Sequence, residues 1–207
     1  MGSVPIIISL LAVLISVLTF YFSQLRSGKL QIVAGEHLHI GHQENGILSI
    51  ILSISCVNEG AVPSTIKRVA LLVQSGGSSE GYLLEPAYYC CLDESGNFAN
   101  ESLPVPVTVV GKQSVVKQVF FCGSMERPIE FKLMDIGTYN LRLLGWIEDS
   151  IEPTVSDSFS ILVTEEKAAL LKQYIANKEK TTIRIPQSTW RKWAAHHLTE
   201  IEVRALG

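Results

Sequence analysis

The hydrophobic pattern changes character twice along the chain. Residues 4 to 22 read "VPIIISLLAVLISVLTFYF" and carry no charged side chain. A helix of ~20 apolar residues spans the ~30 Å hydrocarbon core of a bilayer. The run therefore predicts a transmembrane helix, with Val4, Pro5, Leu11, Leu18, Phe20, Tyr21 and Phe22 in the span. No Lys or Arg precedes it, and the exit "TFYFSQLRSG" places aromatics where a signal cleavage site needs small residues. A retained anchor is expected rather than a cleaved signal. Phe20 and Tyr21 suit an interfacial aromatic belt, and Arg26 and Lys29 follow as polar stops.

From about residue 30 the pattern becomes short alternating runs, the signature of half-buried strands. "LQIVA" and "EHLHIGH" are expected as first strands. "ILSIILSISCVN" is the clearest, with Ile50, Leu52, Ile54 and Cys56 on one face and Ser49, Ser53 and Ser55 on the other. "TIKRVALLVQ" follows the turn "NEGAVPS" and is closed by "SGGSSEG". "LPVPVTVV" and "SVVKQVFF" flank "GKQ" and predict a hairpin. "GTYNLRLLGW" and "SFSILVT" complete the set. No helical pattern interrupts these strands, which favours an antiparallel sandwich over a βαβ fold.

After residue 164 the period changes again. "EEKAALLKQYIANKEK" predicts an amphipathic helix, with Ala168, Leu171 and Ile175 near one face and Glu165 and Glu166 in its first turn. "TTIRIP" reads as a short strand. "QSTWRKWAAHHLTEIE" reads as a second helix capped by Ser188, with Trp190, Trp193, His197 and Leu198 along one stripe. The expected organisation is an anchor over 1–25, a β-sandwich over 26–164 and a helix–strand–helix extension over 165–207.

One short stretch sharpens the fold class. "DIGTYNL", Asp135 to Leu141, resembles the Asp-x-Gly-x-Tyr-x-Cys segment of immunoglobulin-like domains. The resemblance implies structural roles for Asp135, Gly137 and Tyr139, whose hydroxyl would bond back to the backbone as in a tyrosine corner. It also implies a second cysteine where Leu141 stands, so Cys56 lacks the partner that family would supply. No tryptophan follows Cys56 on the next strand. The expected architecture is mainly β: an N-terminal transmembrane helix, an antiparallel immunoglobulin-like sandwich and a C-terminal helical extension.

Charge narrows the partners. The net charge is −3, which excludes the strongly basic face of a general nucleic-acid binder. Residues 165–207 hold eight Lys/Arg and five Glu, whereas residues 1–164 hold nine Lys/Arg and fifteen Asp/Glu. This basic tail fits docking on the acidic body or on an anionic surface. The four cysteines, Cys56, Cys90, Cys91 and Cys122, form no C-x-x-C pair and no zinc or redox signature. Arg26 and Lys29 lean the domain toward the cytoplasmic side by the positive-inside rule. The sequon at Asn100 to Ser102 leans weakly the other way.

Candidate chemistry is sparse. "GSSEG", Gly77 to Gly81, matches a nucleophile-elbow spacing but lacks a following helix, and reads as a solvated loop. On a strand His37 and His39 share a face and could chelate a metal, which His42 joins only if the chain bends at Gly41. Exposed strand positions are the simpler reading of these histidines, so no metal or cofactor is expected. Adjacent His196 and His197 point about 100° apart on a helix and cannot share a ligand. Trp190, Arg191, Lys192 and Trp193 combine residue types that cover a core end, anchor a partner or sit at a bilayer surface.

No catalytic constellation emerges. The expected function is a non-enzymatic, single-pass membrane protein that binds another protein or assembles within a membrane complex. Two other classes stay open. A membrane-anchored enzyme or accessory would need a pocket converging on His37, His39 and a carboxylate. A small-ligand carrier would need a large apolar void between the sheets.

Overall fold

The computed structural model describes residues 3–42, 47–76, 81–92, 98–123, 135–179 and 181–188. It begins with helix α1 (Ser3–Phe20), prolonged by a wider π-type turn over Tyr21–Leu25. From Pro5 to Leu25 this element is long and apolar enough to cross a membrane, and none of it is buried against the rest of the chain. Three of its hydroxyls are satisfied within the helix. Ser9, Ser16 and Ser23 donate back to the carbonyls of Pro5, Ala12 and Phe20. The helix fits a membrane anchor.

Eleven strands are described: β1 (Leu30–His42), β2 (Leu48–Asn58), β3 (Ser64–Ile66), β4 (Arg68–Ser75), β5 (Gly81–Leu92), β6 (Phe98–Ser102), β7 (Val107–Val109), β8 (Ser114–Cys122), β9 (Gly137–Trp146), β10 (Val155–Val163) and β11 (Thr182–Pro186). Helix α2 (Glu165–Ala176) lies between the last two. Where the sequence suggests two facing sheets, one antiparallel sheet runs β10-β9-β4-β5-β8-β2-β1-β11. It then curls until Gln187, just past β11, bridges Ile161 of β10. The result is a nearly closed barrel. A bulge in β1 makes the seam: residues 35–37 stand opposite one residue of β2. Gly35 and Glu36 turn their carbonyls outward, where they accept from the Gln187 side chain and backbone N–H. Asp157 of β10 closes the remainder by accepting from the Ala34 N–H at 2.8 Å.

The alternation in β2 forms as its pattern dictates. Ile50, Leu52, Ile54 and Cys56 are fully buried in the interior. Phe121, Leu71, Leu141 and Leu143 meet them from other strands. Cys56 is thus a structural core residue, and all four cysteines are free. Tyr139 donates its hydroxyl to the Asp135 carbonyl at 2.9 Å, the local bond its motif implies. Thr164 caps α2 by accepting from the Lys167 N–H, and Ala168 and Leu171 carry the helix onto the same core. The expected second helix lies outside the described residues.

Three expectations are corrected. The two runs "LQIVA" and "EHLHIGH" are one strand, because the bulge keeps inward residues inward on both sides of it. "TIKRVALLVQ" breaks into β3 and β4 at Lys67, whose N–H donates to Trp146. The "GKQ" hairpin does not form: β7 pairs with β3, while β8 pairs with β2 and β5. Lys112 there adopts φ of 57°, and a Cβ on Gly111 would collide with the Ala61 carbonyl. That turn is packed onto the β2–β3 loop instead of closing a hairpin.

Candidate functional site

The sheet has a built-up outer wall. Strand β5 pairs with β8 only as far as Cys90 and then leaves it, carrying β6 as its hairpin partner. Beneath this hairpin lies a small apolar cluster outside the barrel: Ile51, Cys90 and Phe120, flanked by Tyr88, Phe98 and Cys122. Tyr88 stacks on Phe120 at 4.4 Å between centroids, and Phe98 meets the edge of His39 at 4.8 Å. An edge-on ring pair of this kind holds the hairpin tip against β1.

Between hairpin and barrel wall runs an open cleft of about 250 Å³, lined by Glu36, His37, His39, Ser53, Phe98, Gln118 and Arg184 among others. The β1–β11 register places His39 opposite Arg184. His39 is held below its ordinary pKa by burial first, then by Arg184 and His37, so it is neutral at pH 7. His37 approaches Glu36 at 3.7 Å. The Gln118 carbonyl oxygen is buried here without a hydrogen-bond partner. Exposed Arg184 supplies the lasting positive charge of the rim.

His37 and His39 do share a face, as their spacing predicts, and the cleft brings Glu36 beside them. His42 does not join. The strand runs straight through Gly41, so His42 points into the barrel, 8% exposed, with both ring nitrogens unpartnered. Among the described residues no three His, Cys, Asp or Glu side chains form a group able to hold a metal ion. Asp135, Gly137 and Tyr139 lie at a strand entry, away from the cleft. Trp190, Arg191, Lys192 and Trp193 fall outside the described residues, as does most of "GSSEG". Arg184, Gln118 and Phe98 were not among the residues the sequence nominated. Their only sequence signal is position on strands: Gln118 and Arg184 arrive by long-range pairing of β8 with β2 and of β11 with β1, and Phe98 by a local hairpin whose ring meets His39.

The barrel interior holds a continuous apolar core, and the cleft beside β6 opens outward. Burial pushes the Cys56 and Cys90 thiols up to about 11, so neither is a thiolate at neutral pH. Cys91, next to Cys90 but on the other face of β5, is exposed.

No known family model matches the sequence, and no curated protein matches it. Among solved structures the chain is similar to a candidate lipoprotein from Bacillus subtilis, at 14% identity and a TM-score of 0.39. The match covers 73% of this chain and 42% of that one, so the chain spans less than half the length of that protein. At this score the likeness shows neither fold nor function.

Proposed function

We propose that the protein is a non-enzymatic, single-pass membrane protein whose barrel binds another protein and builds it into a membrane complex. The cleft beside β6 carries this reading. Strand β6 pairs with β5 on one side, and among the described residues its other edge has no strand partner. A free edge takes an added strand from a partner. The adjoining cleft, at about 250 Å³, is below the ~300–1,000 Å³ usual for small-molecule sites. It suits one inserted side chain better than a whole ligand, and Arg184 on its rim favours a carboxylate.

Pull-down from mild detergent with quantitative mass spectrometry tests the proposal, using wild type and Arg184→Glu at matched expression. One partner should be recovered repeatedly with wild type and about tenfold less with the variant. Monomer alone, or equal recovery with both, overturns it.

In this reading the domain faces the cytoplasm. Arg26 and Lys29 support this, and Lys112 stands with them beside the end of the helix. An impermeant thiol reagent on intact cells reads the side through exposed Cys91. Labelling only after permeabilisation supports the placement, and labelling before it rejects the placement.

A further inference from the structure

The joint between helix and barrel has no slack. Ala61 and Val62 donate their N–H groups to the Arg26 carbonyl at 2.9 and 3.2 Å. A Cβ on Gly60 would collide with the Ser27 carbonyl, and the Lys112 N–H donates to the Gly60 carbonyl at 2.8 Å. Three segments, 26–29, 60–62 and 110–112, are therefore clasped into one rim around the base of the helix. The rim also reaches along it. Lys112 closes a shallow groove on the helix face formed by Ile15, Leu18, Thr19, Phe22 and Ser23. A turn that stands abreast of Thr19 to Ser23 stands level with the end of the apolar span, not beyond it.

The residues on this rim suit that depth. Val62 is 40% exposed and Val110 52% exposed. Arg26 and Lys112 are exposed beside them, and Glu59 of the adjoining loop is paired with Lys29 at 3.1 Å. Another loop at the same barrel end differs. There the β9–β10 loop exposes Ile151 but surrounds it with Glu148, Asp149 and Glu152. Apolar side chains flanked by basic ones enter the headgroup layer, whereas acidic neighbours oppose anionic lipid.

We infer that the rim formed by Val62, Val110 and Lys112 docks on the bilayer beside the helix, binding anionic lipid headgroups and tilting the Ile151 loop away into water. This deepens the anchor reading of α1 and rests on it. Docking at one rim sets the height and azimuth of the barrel, so its outer wall faces along the membrane in a fixed direction.

Photo-crosslinking of the full chain in nanodiscs of anionic and zwitterionic lipid tests the inference. Benzoylphenylalanine replaces Leu11, Val62, Val110 or Ile151, all exposed positions, and adducts with radiolabelled lipid are counted. Adducts at 11, 62 and 110 but not at 151 are expected. Lys112→Glu should lower the yield at 110 about fivefold in anionic discs and leave 11 unchanged. Adducts at 11 without adducts at 62 and 110 overturn docking and leave the anchor standing. No adduct at 11 overturns both. Equal yields at 110 and 151, or no effect of lipid charge and Lys112→Glu, overturn the assignment to this rim.

Discussion

At the barrel end nearest the helix, Asn58 is 1% exposed and its amide is fully engaged. Its oxygen accepts from the N–H groups of Lys29 and Gly60 at 3.2 and 3.0 Å. Its nitrogen donates to the carbonyls of Val62 and Val109 at 2.9 and 3.1 Å. At the far end His42 is almost as buried, yet neither ring nitrogen finds a partner. A satisfied buried amide fixes geometry, while an unsatisfied imidazole only costs stability. The end that joins the helix is thus held by directed bonds. The other is closed by apolar contact, with Ala168 and Leu171 of α2 in the core.

Breaking the amide should give the largest effect. Asn58→Ala leaves two donors and two carbonyls without this partner, the buried Gly60 N–H and Val109 carbonyl each costing about 1–3 kcal/mol before water enters. A net loss of about 3–5 kcal/mol is expected by urea denaturation in detergent. Hydrogen exchange should quicken first at residues 60–62, where the joint loosens. Exchange that quickens first at α2 would show that the amide holds no special place in the joint.

Leu171→Ala tests the apolar closure. Leu171 is fully buried, so truncation should cost about 2–4 kcal/mol through lost transfer and a cavity. The same contrast predicts where it acts. Amides of α2 should exchange before those of β2 and β8, while the Asn58 clasp stays protected. Uniform loss of protection would mean that the two ends unfold as one.

How far each end could be read from the chain follows from the range of its contacts. Strands β2 and β9 and helix α2 were legible, because strand alternation, a helical apolar face and acidic Glu165 and Glu166 in a first turn are local signals. Strand β5 was not, since Pro86 sits in the middle of it and demotes such a run. Closure was not legible either. It needs Gln187 to meet Gly35 and Ile161, and no periodicity records that. The same holds for the cleft. The shared face of His37 and His39 is a property of one strand, but Arg184 and Gln118 arrive by long-range pairing, and Phe98 by a hairpin that reaches across to His39. Asn58 looked like a turn residue at a strand end, and only the clasp around it reveals why an amide stands there.

Tyr139→Phe removes one bond at the far end, from the hydroxyl to the Asp135 carbonyl. The expected loss is about 1 kcal/mol, less than for Asn58, because the bond removed is neutral and Asp135 is exposed to water. A loss as large as that of Asn58→Ala would show that the far end too is held by directed bonds.

The smallest change at neutral pH comes from His42→Leu, and it is the most discriminating because its sign depends on pH. Burial holds the His42 imidazole below its ordinary pKa near 6.5, so the folded protein keeps it neutral. Below that ordinary value the unfolded chain takes up a proton that the folded chain refuses. Stability is therefore intact above about pH 6.5 and falls as pH drops from there toward the lowered folded value. His39 is lowered in the same direction and adds to the slope, so His39→Gln serves as the control at the cleft. Carboxylate titration is common to wild type and variant and cancels in the difference. Urea midpoints at pH 7.5 should then be equal or slightly higher for His42→Leu, since a burial without partners is removed and a similar volume is filled. At pH 5 the variant should be clearly the more stable. A constant difference between the two pH values would mean that the far end satisfies its histidine after all, and the contrast with Asn58 would disappear.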